Sequence, residues 1–154
     1  MVIPAATPVG WTQSPASSGT ATTAGGYAIF DGSGDYLSTP GSTDFQFSGE
    51  FTIEGWMRGP DMDDTNDIFY LYGGGGGSGN AAAQVFVGTS GGTPQIDCYF
   101  SSDGNTWQNV QRTVQAWQIG RWYHIAVIRD GSDNCMIFID GEKQGGNTSV
   151  TGTI

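Results

Sequence analysis

Two separated stretches constrain what this chain can fold into more than anything else in it. In the first, Tyr27-Ala28-Ile29-Phe30 runs into Asp31-Gly32-Ser33-Gly34 and returns through Asp35-Tyr36-Leu37-Ser38; a second apolar run follows at Phe51-Thr52-Ile53-Glu54-Gly55-Trp56-Met57. In the other, Gly120-Arg121-Trp122-Tyr123-His124-Ile125-Ala126-Val127-Ile128-Arg129 ends at Asp130-Gly131, and Met136-Ile137-Phe138-Ile139 ends at Asp140-Gly141. Each is a strand-length run of alternating or continuous apolar residues closed by an Asp-Gly turn. Composition agrees: 26 of 154 residues are Gly and only 13% are charged, which suits short strands and tight turns rather than helices. Aromatics at 12% argue against disorder.

Further strands are expected at 68–72, 82–89, 95–101 and 106–113, with Gly91-Gly92 and Asp103-Gly104-Asn105 as turns. Residues 143–154 have room for one more. In the 51–58 strand, Phe51, Ile53 and Met57 share one face, while Thr52, Glu54, Trp56 and Arg58 share the other. Residues 1–25 are rich in Ala, Thr, Ser, Pro and Gly and read as an extended N-terminal arm, with an edge strand near 9–12. Residues 26–154 form the folded domain. About ten short strands imply an all-β chain, with two antiparallel sheets packed face to face. No internal repeat and no helical period stands out.

These segments, in this order, resemble the laminin G-like group of the concanavalin A-like lectin/glucanase superfamily over roughly residues 26–146. The resemblance implies a jelly-roll β-sandwich that binds glycans or proteins. Members of this group usually continue with further strands beyond the position matched by the last Asp-Gly turn. The expectation is therefore a sandwich lacking its last strands, or one completed by the N-terminal arm or by a neighbouring subunit. An unfilled strand position is a template for β-addition, which points to an oligomer or larger assembly formed through the arm or the open sheet edge.

The net charge of −10 repels phosphate backbones and anionic bilayers, so neither nucleic acid nor membrane insertion is expected. No apolar run approaches the roughly 20 residues of a membrane helix. The start, Met1-Val2-Ile3-Pro4, lacks the features of a secretory signal. The expected location is the surface of a virion or similar extracellular particle.

Glycoside cleavage needs two carboxyl groups, about 5–5.5 Å apart for retention or about 6.5–9.5 Å for inversion. The strand that would carry them has Glu54 alone, and Asp97 and Asp140 come from other strands, so no catalytic residue is assigned. His124, the single histidine, shares a strand face with Trp122 and Ala126 and reads as a structural residue, with Glu54 as its expected partner. No Gly-x-Ser-x-Gly elbow accompanies it. Cys98 and Cys135 read as two small buried apolar residues, or as one cross-strand bridge if their strands are neighbours. One His and two distant Cys cannot make a zinc site. Calcium is the cofactor to consider, at the acidic loop of Asp61, Asp63, Asp64 and Asp67, because calcium takes oxygen ligands in irregular loops; a solvated acidic loop is the plainer reading. Laminin G-like and lectin relatives often bind calcium in rim loops.

A sugar site offers aromatic faces beside amides and carboxylates. Tyr70, Tyr72, Trp107 and Trp117 are the candidate ligand-binding residues, with Gln108, Asn109 and Gln111 nearby; core packing is the competing role of each ring. Three functions follow. The favoured one is a non-catalytic surface binding or adhesion module that recognises glycan or protein, as part of a phage virion or similar particle. The alternative is a purely structural capsid decoration, cement or fibre protein without a glycan ligand. A glycoside hydrolase is disfavoured by the missing carboxylate pair.

Overall fold

A computed structural model of the chain describes residues 12–13, 22–24, 27–29, 37–38, 46–58, 69–73, 82–90, 92–114 and 117–154. All twelve elements are strands: β1 Thr12–Gln13, β2 Thr22–Ala24, β3 Tyr27–Ile29, β4 Leu37–Ser38, β5 Phe51–Met57, β6 Phe69–Gly73, β7 Ala82–Ser90, β8 Thr93–Ser101, β9 Gln108–Thr113, β10 Tyr123–Arg129, β11 Asn134–Ile139 and β12 Glu142–Ser149. No helix among the described residues is long and apolar enough to cross a membrane. The chain divides into two compact units, Met1–Ser42 and Thr43–Ile154. In the first, β1 pairs with β4 and β2 with β3, both antiparallel.

The second unit holds two four-stranded antiparallel sheets, ordered β12-β11-β10-β5 and β6-β7-β8-β9. The β6–β9 sheet is a simple meander, while β5 reaches its neighbour β10 across all the intervening strands. This is the all-β, two-sheet sandwich expected from the strand spacing.

Strand period explains how the sheets meet. Along β8, Ile96, Cys98 and Phe100 are fully buried; along β10, Tyr123, Ile125 and Val127 are buried; Val85 and Val87 of β7, Val110 of β9 and Ile137 of β11 join the same core. Phe51 of one sheet meets Phe100 of the other with ring centroids 5.6 Å apart. Side chains of this size each contribute about 1.5–3 kcal/mol on full burial, so the inward half of each strand drives the association and the outward half is left to other uses.

Turn chemistry sets the register. Asp140 and Gly141, with φ of 51° and 82°, join β11 to β12 in a two-residue turn with Ile139 opposite Glu142. Positive φ at both positions is the type I′ pattern, whose twist matches that of the flanking strands. Between β10 and β11, Asp130 Oδ1 accepts the Ser132 and Asn134 backbone N–H groups and the Asn134 side-chain amide. Asp103 does the same after β8, accepting from the backbone of Asn105 and Thr106 and from two hydroxyls.

Two arginines tie separate segments together, and one of them joins the two layers. Arg112 of β9 donates to the Gln144 and Gly146 carbonyls and to Thr148 Oγ1 of β12, in the opposite sheet. Arg129, 3% exposed, pairs with Asp133 Oδ1 at 2.5 Å and donates to the Gly152 carbonyl at 2.7 Å. The final residues are anchored as well. Gln108 exchanges two hydrogen bonds with the backbone of Thr151, Phe47 and Ile154 exchange both backbone bonds, and Ile154 is buried.

Two outcomes are expected. Asp133→Gly keeps the positive φ of 61° but strips the counter-ion from a buried guanidinium. It should lower unfolding stability in a urea titration by about 3 kcal/mol. The second concerns acid. Backbone N–H donors of Asn134 hold Asp130 below the usual carboxylate range, and those of Thr106 and Asn105 hold Asp103 well below it. A carboxyl depressed from an unfolded value of about 3.9 adds stability above that pH, and the gain is lost as pH falls through the folded value. Amide resonances of Asn134 and Thr106 should therefore hold steady down to about pH 4 and move only below it.

Candidate functional site

The outward half of the β6–β9 sheet concentrates the chemistry. In β8 the residues between the core positions are Gln95, Asp97 and Tyr99; in β7 they are Gln84 and Phe86; in β9 they are Asn109 and Gln111. Register assembles them into rows. One row crosses the sheet as Gln84, Tyr99, Asn109, and the next as Phe86, Asp97, Gln111. Tyr72 stands opposite Gln84 and Tyr70 opposite Phe86 in the backbone register of β6, extending the two rows to four strands.

The rings on this face are braced against each other. Phe86 and Tyr99 meet edge-to-face at 5.6 Å and 88°, and Tyr99 meets Trp107 at 6.5 Å and 83°. Such pairs hold an aromatic in one orientation, and Trp107 remains 38% exposed at the end of the ladder. A polar ladder runs beside it. Gln111 Nε2 donates to Gln95 Oε1 at 3.3 Å, and Gln95 Nε2 donates to Asp97 Oδ2 at 2.7 Å. The amides thus orient the carboxylate before any ligand arrives, which lowers the ordering cost of binding.

The sequence-derived candidates fare differently. Trp107 joins the face, with Asn109 and Gln111. Trp117 does not: it is 5% exposed, packs edge-on against Tyr123 at 5.0 Å and donates its indole N–H to the Gly88 carbonyl at 3.2 Å. It is a core residue with its one polar group satisfied, and it presents no open ring face. Gln108 is engaged with Thr151 and unavailable for the same reason. The side chains of Tyr70 and Tyr72, and the acidic loop of Asp61, Asp63, Asp64 and Asp67, lie outside the described residues. Among the described residues no group of three or more His, Cys, Asp and Glu side chains could hold a metal ion.

Tyr99, Phe86, Gln84 and Gln95 were not anticipated as site residues. In sequence an aromatic inside Val85-Phe86-Val87 or Cys98-Tyr99-Phe100 reads as core. The available signal was parity: Tyr99 shares it with Gln95 and Asp97, and Phe86 with Gln84.

The other candidate chemistries resolve simply. Glu54 Oε2 lies 3.5 Å from His124 Nε2, the pairing expected from the two strands. Asp140 has both oxygens occupied, one by the His124 backbone N–H at 2.9 Å and the other by Arg121 at 2.5 Å. Cys98 and Cys135 are both free and buried. Burial pushes both thiols up, Cys135 to about 11, so neither is a nucleophile at neutral pH.

Because Trp117 is structural, Trp117→Phe should cost about 1 kcal/mol by leaving the buried Gly88 carbonyl without its donor. Thermal unfolding would measure that loss, and the outer face would be unchanged.

The family model for Laminin_G_3, described as the concanavalin A-like lectin/glucanases superfamily, matches residues 31–154. No curated protein and no solved structure matches the chain.

Proposed function

The chain belongs to the concanavalin A-like lectin/glucanases superfamily, and from that membership we propose that it is a non-catalytic module that binds glycan through the outer face of its β6–β9 sheet. The observation that carries this reading is the coincidence of two ladders on one rigid surface: Phe86, Tyr99 and Trp107 edge to edge, and Gln111, Gln95 and Asp97 linked by hydrogen bonds. A pyranose presents an apolar C–H face and a rim of hydroxyls. The first suits an aromatic surface, and the second suits amides, which accept and donate, and a carboxylate, which accepts. Sheet strands hold all of these groups but Trp107, which stands one residue before β9, more firmly than loops would.

The same face supports binding without turnover. Asp97 is the one carboxylate among its described residues, and glycoside cleavage by the common mechanisms uses two. The net charge of −10 fits neutral or basic ligands better than acidic polysaccharides. Work as an adhesion module on a virion or similar particle is part of the proposal, with glycan or protein on the target surface as the partner and assembly through residues 1–25 or a sheet edge.

A glycan array probed with and without calcium tests the reading. Binding to a defined glycan is expected, and Tyr99→Ala and Trp107→Ala should each weaken it at least about tenfold, equal to about 1.4 kcal/mol. Loss of the signal in chelator would bring in the acidic loop as a calcium site, while retention would leave the sheet face to act alone. An array silent under both conditions would favour a purely structural role.

A further inference from the structure

The opposite sheet carries a second, unrelated constellation. Along β5 the outward residues are Thr52, Glu54 and Trp56, followed by Arg58 beyond the strand, and all four are exposed. Trp56 is 65% exposed, more than either of the other exposed tryptophans among the described residues, Trp107 and Trp122 at 38% each. An isolated apolar side chain at a surface needs no explanation. Trp56 differs because it is held in place and surrounded by polar groups. It lies inside a strand, directly opposite His124 of β10, and the two rings are 5.2 Å apart at 50°. That imidazole also reaches Glu54 Oε2 at 3.5 Å. Glu54 has no other ion-pair partner among the described residues, and its carboxylate is 60% exposed.

Glu54 stands opposite Ala126, and Ala126 opposite Phe138 of β11. Ala126 is 5% exposed, covered by the larger side chains around it. Trp122 continues the outward parity of His124 and Ala126 and is 38% exposed. An indole face, an acceptor and an imidazole that can donate or accept are therefore gathered on one patch of the outer surface. They belong to rigid, paired strands.

The geometry points to a second ligand site here, one that takes a single hexopyranose unit of a neutral glycan. Its C–H face stacks on Trp56, one hydroxyl donates to Glu54, and a neighbouring hydroxyl accepts from His124. Cleavage is not part of the inference. Asp140, the carboxylate that backs this strand pair, is already engaged with the His124 backbone N–H and with Arg121. The outer faces of two packed sheets point in opposite directions, so a chain with a sugar site on each could bridge two glycan strands. The inference stands on the β5–β10 surface alone and does not require the β6–β9 face to bind sugar.

Indole N–H resonances of the tryptophans separate the two faces, because Trp56 reports on one and Trp107 on the other. The probes are the methyl glycosides of glucose, galactose, mannose and N-acetylglucosamine, titrated into the full-length protein. At least one should shift the Trp56 resonance saturably, with a Kd of about 1 mM for so small a ligand. The shift should persist in the Tyr99→Ala/Trp107→Ala double variant and weaken at least about fivefold in Glu54→Gln, which keeps the shape of the side chain and removes its charge. The His124 ring resonances should respond in the wild type and fall silent in Trp56→Ala, a surface change that should leave the rest of the spectrum in place. An unmoved Trp56 resonance with all four glycosides would overturn the inference. So would a His124 response that survives Trp56→Ala, or a Trp56 shift that Glu54→Gln leaves at full strength.

Discussion

Everything in the second unit depends on the two sheets burying one face each. Phe51 against Phe100, with Ile96, Val110, Val127 and Ile137 around them, fills the space between β12-β11-β10-β5 and β6-β7-β8-β9. A strand has a side-chain period of two, so packing one face fixes the other without further instruction. Shifting β8 by one residue would move Ile96, Cys98 and Phe100 into water and bring Gln95, Asp97 and Tyr99 into the core. The energy that holds the core in register is the same energy that displays the Tyr99 and Asp97 rows.

The edges need separate treatment, because hydrophobic contact alone does not stop two layers from sliding. Arg112 spans from β9 to three acceptors on β12 in the opposite sheet, while Arg129 with Asp133 holds the Gly152 carbonyl of the C-terminal segment. A buried guanidinium such as that of Arg129 is costly unless satisfied, and here it donates to Asp133 Oδ1 and to the Gly152 carbonyl. The Asp-Gly turn at 140–141 and the Asp130 turn before it bring β11 and β12 into place next to β10. The strand pair β5 and β10 then aligns Trp56 with His124 and sets Glu54 within reach of the same imidazole.

Much of this was legible in the chain. The alternation in 51–57, the hairpin around 130–133 and the meander through 82–113 are local patterns, and local patterns survive translation into structure. The His124–Glu54 contact followed from recognising two strands as neighbours. Less legible was which aromatic belongs inside. Trp117 lies outside any strand, so no period assigns it a face, and its burial depends on partners in two other strands, Gly88 of β7 and Tyr123 of β10. Tyr99 and Phe86 had the opposite problem: each sits among apolar residues, and only pairing across three strands reveals that they line up with amides and a carboxylate.

The central claim is that recognition uses the flat outer face of a sheet rather than its rim. Mapping backbone amide shifts on the labelled protein, with the strongest-binding glycan of the array, tests it most directly. The account predicts that the largest shifts fall on Asp97, Tyr99 and Gln111, in the two cross-strand rows, and on Trp107 beside them. Shifts confined to residues 61–67 and 73–79, with β8 and β9 unmoved, would contradict it.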